Sequence, residues 1–141
     1  MTNTDCPFCN ILKENRILEE GKYAFAIFSN PRLMPGHLLV IPKRHIERIS
    51  ELNREEQNEI FDLLVKFQSK IISKLSTGCD IRQNFKPYVE NSRTHVDHVH
   101  FHLLPRNNQD ELYEIVDKNK SSLYKDLTDD EKNKITNLLL N

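Results

Sequence analysis

The segment over residues 96–104 constrains the fold more than any other part of the chain, because histidines alternate with apolar residues along it. Successive side chains of a β-strand point to opposite faces of the sheet. The histidines therefore share one face, and the apolar side chains are expected to enter the core from the other. The histidines are His98, His100 and His102, and the apolar residues are Val99, Phe101 and Leu103. Pro105 is predicted to end the strand, because proline cannot donate to a sheet ladder.

Several further elements are predicted around this strand. Residues 23–28 and 37–41 are rich in aromatic and branched side chains and are expected to pair antiparallel, while residues 81–89 have weaker strand character. Capping boxes beginning at Asn53 and Thr128 each predict a helix. The apolar positions of the first helix are Ile60, Leu64, Phe67, Ile71 and Leu75. This order of elements predicts an α+β protein with a largely antiparallel sheet.

The composition excludes two classes of function. A net charge of −1 over 141 residues excludes a nucleic-acid binder that works by bulk electrostatics. No apolar run approaches the roughly 18 residues that span a bilayer, and residues 1–5 lack the pattern of a signal peptide. A cytoplasmic protein without a membrane partner is therefore expected. Three cysteines are too few for a disulfide scaffold and indicate metal or thiol chemistry.

The residues alone leave the chemistry of the histidines and cysteines open. The histidine face is either a polar strand surface or a set of ligands, since alternating histidines can point two ring nitrogens at one metal ion. Cys6 and Cys9 have the two-residue gap of a zinc-binding pair, but two cysteines make half a site and can also be plain thiols. Cys79 is interpreted as a small buried apolar residue.

The string from His98 to Leu104 resembles the signature of the histidine triad (HIT) nucleotide hydrolases and transferases, and residues 35–45 resemble a second motif of that family. The resemblance covers residues 6–106. It implies a HIT-like fold, with an antiparallel sheet of about five strands, a long helix packed on it and a C-terminal helix. It further implies a HIT domain over residues 1–106 and a helical tail over 107–141 packed on or beside it.

The resemblance also implies a reaction. His100 would attack the α-phosphate of a purine nucleotide conjugate, either a dinucleoside polyphosphate or a nucleoside phosphoramidate, and form a nucleotidyl-histidine intermediate. His102 and His37 would donate to the phosphate oxygens, and no catalytic metal would be required. The alternatives are a nucleotidylyltransferase or phosphorylase, and a nucleotide-binding interaction protein with little turnover.

Zinc and a homodimer follow from the same resemblance. Some relatives complete a structural zinc site with the positions that correspond to His45 and His98, which would join Cys6 and Cys9. Such a Cys₂His₂ site has no open position for catalysis. Relatives usually pair into homodimers through a sheet edge and the long helix.

The resemblance places the nucleotide against eight residues. Ser29 or Asn30 would bind the ribose. Three apolar residues either line the base pocket or belong to the core, namely Phe8, Ile11 and Ile27. Arg93 and Thr94 would bind phosphates, and the charge of Arg93 favours a longer polyphosphate. His95 is either a proton relay or an exposed loop residue.

Overall fold

The computed structural model describes residues 5–11 and 15–141. The chain divides into two compact units, Met1–Asn108 and Gln109–Asn141. Residues 1–4, on which the expectation of a cytoplasmic location partly depends, lie outside the described residues. Among the helices that are described, none has the length and hydropathy needed to cross a bilayer.

The first unit is built on a five-stranded antiparallel sheet. The strands are β1 (Ile17–Glu20), β2 (Ala24–Phe28), β3 (Leu38–Pro42), β4 (Gly78–Arg82) and β5 (Phe101–Arg106). Their order across the sheet is β1-β2-β3-β5-β4. All four pairings are antiparallel, and the predicted pair β2–β3 runs from Ala24 opposite Pro42 to Phe28 opposite Leu38. The predicted α+β class and the sheet of about five strands are confirmed.

Strands β2 and β3 are buried on both faces, which explains their almost continuous apolar composition. Ala24 and Ala26 belong to a core cluster that also contains residues of the long helix. Phe25 and Ile27 belong to a second cluster, to which the N-terminal segment contributes Ile11. The N-terminal segment and the long helix therefore cover opposite faces of the sheet.

The long helix, α1, spans Arg54–Lys74 and begins at the predicted capping box. The Asn53 side chain accepts from the Glu56 N–H, and the Glu56 carboxylate accepts from the Asn53 N–H, both at 2.9 Å. Four of the five predicted apolar positions face the sheet: Ile60, Leu64 and Ile71 are buried and Phe67 is partly buried. The prediction is wrong for Leu75, which caps the helix and is 62% exposed.

The last strand, β5, begins at Phe101 rather than at residue 96 and includes Pro105. Continuing the β3–β5 register would place Val99 opposite Pro42, which has no N–H to donate. The Val99 N–H instead donates to the Ile46 carbonyl at 2.7 Å, so the chain before Phe101 leaves the ladder. Beyond Leu103, β5 pairs with β4 alone, where a proline is tolerated.

The two outer strands differ most from the prediction. The sequence pattern does not indicate β1, whose residues alternate between partly buried and exposed. Strand β4 lies at Gly78–Arg82 instead of residues 81–89, because its position is set by pairing with β5, from Gly78 opposite Arg106 to Arg82 opposite His102.

The second unit is helical. It contains α2 (Glu111–Ile115), a 3₁₀ segment (Asp117–Leu123) and α3 (Asp129–Leu140). The Thr128 side chain accepts from the Glu131 N–H at 3.2 Å at the start of α3. The terminal helix predicted from this cap is confirmed.

Candidate active site and metal centre

Three histidines, His37, His100 and His102, meet where the N-terminal end of β3 lies beside β5. His102 is in β5 opposite Leu39, and His37 directly precedes β3. Gly36, just before His37, has a φ of +84°, a conformation that favours glycine. On the opposite face of the histidine segment, Val99 and Leu103 are buried in the core beside α1 and Phe101 packs against it. The predicted division into a histidine face and an apolar face is thus seen in the fold.

The hydrogen bonds of His37 fix the tautomers of two imidazoles. The Leu33 N–H donates to His37 Nδ1 at 3.1 Å, so a neutral His37 carries its proton on Nε2. That Nε2–H donates to His102 Nδ1, 2.9 Å away. His102 Nδ1 is then an acceptor, and the proton of neutral His102 lies on Nε2. His102 consequently has an N–H for a ligand, whereas both ring nitrogens of His37 already have partners.

His100 has the complementary tautomer. Its Nδ1 lies 2.7 Å from the His98 carbonyl oxygen, to which it donates, so Nε2 keeps a lone pair. The His100 ring lies 5.0 Å from the His102 ring and 5.1 Å from the Phe8 ring, measured between centroids, in edge-to-face arrangements. A nitrogen nucleophile and an N–H donor are thereby placed side by side.

Burial keeps these imidazoles neutral. It lowers the pKa of His37 to about 4 and the pKa of His102 to about 3, with a further lowering of both by the charge of His100. Burial also lowers the pKa of His100, against the opposing effect of the hydrogen bond to the His98 carbonyl. At neutral pH, His100 therefore has an available lone pair without an added base.

A cavity of about 610 Å³ opens onto His37, His100 and His102. Five of the predicted nucleotide-binding residues line it: Phe8, Ser29, Asn30, Arg93 and Thr94. Ile11 and Ile27 do not; they are 1% and 0% exposed and belong to the second core cluster, which favours the core alternative for both. His95 is not among the lining residues either, and its Nε2 lies 2.8 Å from an Asp97 carboxylate oxygen.

Two further lining residues, Arg16 and Arg32, are missed by sequence reasoning. Arg16 belongs to a polar stretch before β1 and Arg32 to the β2–β3 connection, and neither forms a motif with the histidines. The only signal available was the nearness of Arg32 to the predicted ribose-binding pair Ser29 and Asn30. Ser29 itself donates from its hydroxyl to the Pro31 carbonyl at 2.8 Å.

Beside the cavity, Cys6, Cys9, His45 and His98 bring four ligand atoms within 4.8 Å of one another. Their Sγ–Nδ1 distances are 3.3 Å for Cys6–His98, 3.4 Å for Cys9–His45 and 3.7 Å for Cys9–His98. A tetrahedral ion with bonds of about 2.0 to 2.3 Å needs ligand separations of about 3.3 to 3.8 Å. The donor set and these three separations therefore fit a closed Cys₂His₂ metal site.

The contacts of the outer ring nitrogens support the same conclusion. His98 Nε2–H donates to the Pro42 carbonyl at 2.8 Å, which leaves the Nδ1 lone pair directed at the cysteines. His45 Nε2 lies 3.7 Å from a Glu47 carboxylate oxygen. Burial raises the pKa of the Cys6 thiol to about 11, a cost that a bound cation would offset by stabilising the thiolate.

Comparison with known proteins identifies relatives of most of the first unit. The family model of the HIT domain matches residues 12–109. A bis(5′-adenosyl)-triphosphatase of Dictyostelium discoideum is 27% identical over 115 residues, which cover 78% of this chain and 76% of the relative. An adenosine 5′-monophosphoramidase of Schizosaccharomyces pombe is 33% identical over 111 residues, which cover 74% of this chain and 77% of the relative.

A solved structure matches in fold. The crystal structure of a HIT family protein from Bacillus anthracis superimposes with a TM-score of 0.76 at 24% identity, covering 99% of this chain and 97% of that one.

Proposed function

The chain belongs to the HIT domain family, and on that premise we propose that it is a hydrolase acting at the α-phosphate of a purine nucleotide conjugate. The substrate is a dinucleoside polyphosphate or a nucleoside phosphoramidate, the classes named for the triphosphatase and monophosphoramidase relatives. One observation carries the proposal: the His98 carbonyl holds the Nδ1–H of His100, which leaves Nε2 as a nucleophile at the cavity.

The reaction takes place in two displacements. His100 Nε2 forms a bond to the α-phosphorus while the bond from phosphorus to the substituent breaks, and the bonding electrons leave with the substituent. Water then attacks the same phosphorus, the N–P bond breaks, and the electron pair returns to His100 Nε2. Over the whole cycle the phosphorus gains the hydroxyl group of one water molecule and the leaving group gains its proton, so the products are a nucleoside monophosphate and the released substituent. Phosphoryl chemistry of this kind asks the protein mainly for positioning and charge stabilisation.

His102 supplies a hydrogen-bond donor to the phosphate, and His37 holds the His102 ring in position. The Nε2–H of His102 is directed to a non-bridging oxygen of the α-phosphate, where negative charge must be stabilised in the transition state. His37 was expected to donate to phosphate as well; we propose instead that it acts through His102, because both ring nitrogens of His37 already have hydrogen-bond partners. His37 is a positioning residue.

We also propose that Cys6, Cys9, His45 and His98 hold a structural zinc ion. When bound, the ion supplies no Lewis acid for the reaction, because four protein ligands complete its coordination. The sites are connected through His98, whose side chain belongs to the metal cluster and whose carbonyl accepts from His100. The metal centre therefore stabilises the backbone that orients the nucleophile.

The remaining proposals concern organisation. We propose a cytoplasmic location and a homodimer. The homodimer is proposed because α1 carries a line of exposed apolar side chains away from the core: Phe61, Val65 and Ile72 are 66%, 51% and 47% exposed. These positions lie on one helix face at intervals of four and seven residues. Residues 1–106 are proposed as the catalytic domain and 107–141 as a helical tail; no nucleic acid or membrane partner is proposed.

The test is a product analysis with diadenosine triphosphate and adenosine 5′-phosphoramidate. The wild type is expected to release AMP from at least one of them, and His100→Ala is expected to lose turnover while binding AMP within about tenfold of the wild type. Adding inorganic phosphate distinguishes transfer from hydrolysis, because a phosphorylase would convert the transferred adenylyl group to ADP instead of AMP, so that the triphosphate would give ADP without AMP. Binding without turnover by the wild type would identify an interaction protein and refute the proposal.

A further inference from the structure

The cavity at His100 has a charge opposite to that of the whole chain. The chain carries a net charge of −1. Three arginines line the cavity, Arg16, Arg32 and Arg93, and among the described lining residues there is no Asp or Glu. A cleft lined by one sign of charge concentrates ligands of the opposite sign.

Two of these arginines form no ion pair with a carboxylate among the described residues. Elsewhere carboxylates pair with arginines: Glu56 holds Arg44, and Asp80 holds two others. In the part of the chain that the structure describes, neither Arg32 nor Arg93 has such a partner. Each guanidinium therefore retains five N–H donors for an anionic ligand.

Both arginines are carried by loops whose backbones are held in place. Arg32 lies in the β2–β3 connection, which is tied to His37 by the Leu33 N–H at 3.1 Å and the Ser29 N–H at 2.9 Å. Arg93 lies in the β4–β5 connection, between Ser92 and Thr94, which also line the cavity. That turn is closed by the Ser92 N–H donating to the His95 carbonyl at 2.8 Å. The two cations thus reach one cavity from different loops.

We infer that Arg32 and Arg93 select substrates by the charge of the leaving group, so that a dinucleoside polyphosphate is favoured over a phosphoramidate; this inference rests on the proposed hydrolase function. In a polyphosphate, breaking the bond from the α-phosphorus to the bridging oxygen leaves the electron pair on an already anionic phosphate chain. Guanidinium groups stabilise that charge through charge-assisted hydrogen bonds. An uncharged amine leaving group offers them no such anion.

The experiment compares two substrates with the same adenylyl group, diadenosine triphosphate and adenosine 5′-phosphoramidate, for Arg32→Gln and Arg93→Gln. Lys86→Gln is the matched control, because Lys86 lies in the same connection as Arg93 but does not line the cavity. Each arginine variant is expected to lower kcat/KM for the triphosphate about tenfold to a hundredfold. It should change kcat/KM for the phosphoramidate less than about threefold, and the control should change neither. Equal losses for both substrates, or no loss for either, would overturn the inference.

A binding measurement separates this inference from the proposed function. ATP carries phosphates beyond the α-phosphate and AMP does not, so the wild type is expected to bind ATP more tightly by calorimetry, and both variants should lose the preference. If the wild type hydrolyses neither substrate but shows this arginine-dependent preference, the proposed function fails and the charge selection remains. If the ATP preference is absent or survives both substitutions, the inference is wrong even for an active hydrolase.

Discussion

Replacing His37 by alanine tests whether this residue acts through His102. The substitution removes the Nε2–H that donates to His102 Nδ1 at 2.9 Å, so His102 is no longer held with its proton on Nε2. One neutral hydrogen bond contributes about 1 kcal/mol to the preference for this tautomer, and without it His102 can also carry its proton on Nδ1. Losing one donor to the transition state costs about 2.7 to 4 kcal/mol, or a hundredfold to a thousandfold in kcat. At 1.36 kcal/mol per tenfold in rate, His37→Ala should therefore lower kcat by about threefold to tenfold, less than His102→Ala does.

The assay is steady-state hydrolysis by both variants, with AMP affinity and thermal stability measured in parallel. His37→Ala also leaves the Leu33 N–H without its acceptor, so a loss of about 1 to 3 kcal/mol in unfolding free energy is expected. His37→Gln keeps an amide donor and should recover part of kcat. The reasoning would be refuted if His37→Ala lowered kcat as much as His102→Ala while the variant stayed folded, since His37 would then contact the substrate itself.

Three further predictions concern the metal, pH and assembly. Purified protein should contain close to one zinc ion per chain, and Cys9→Ser should lose it and melt at a lower temperature; equal melting temperatures with and without metal would contradict a structural ion. The metal-free protein should lose stability as the pH falls from about 6.5 toward 4, because burial lowers the pKa of His37 to about 4 and that of His102 to about 3, so the unfolded chain binds protons first. At about 1.4 kcal/mol per pKa unit, His37 alone should change the free energy of unfolding, measured with urea, by about 3 kcal/mol. A stability that does not change with pH would contradict the burial of neutral imidazoles. Light scattering should give twice the chain mass of 16.7 kDa for the wild type and one chain mass for Phe61→Asp; a wild-type monomer would refute the proposed interface.

Local sequence patterns predicted the elements whose burial is strong and periodic. Strands β2 and β3 are apolar on both faces, and α1 has a cap at Asn53 and a regular apolar stripe, so each is visible within a short window. Strands β1 and β4 are half-exposed, and their positions are set by partners distant in the sequence. The start of β5 depended on Pro42, whose missing donor matters only once the β3–β5 register is known.

The candidate site divides in the same way. Alternation along the histidine segment predicted a shared face, and resemblance to the HIT family predicted the cluster of Cys6, Cys9, His45 and His98. The role of His37 depends on the Leu33 N–H, a contact that only the loop geometry reveals. Arg32 likewise enters the cavity because its loop folds back on β3, and no spacing in the sequence indicates that approach.

The proposed mechanism depends on a covalent bond between His100 Nε2 and the α-phosphorus. The most direct measurement mixes the enzyme with diadenosine triphosphate for milliseconds, quenches with base, which preserves phosphorus–nitrogen bonds, and maps the peptides by mass spectrometry. One added adenylyl group is expected on the peptide that contains His100, formed before AMP appears in solution and absent from His100→Ala. Turnover with no adduct at any time point under conditions of rapid substrate binding, or an adduct on a different residue, would contradict it.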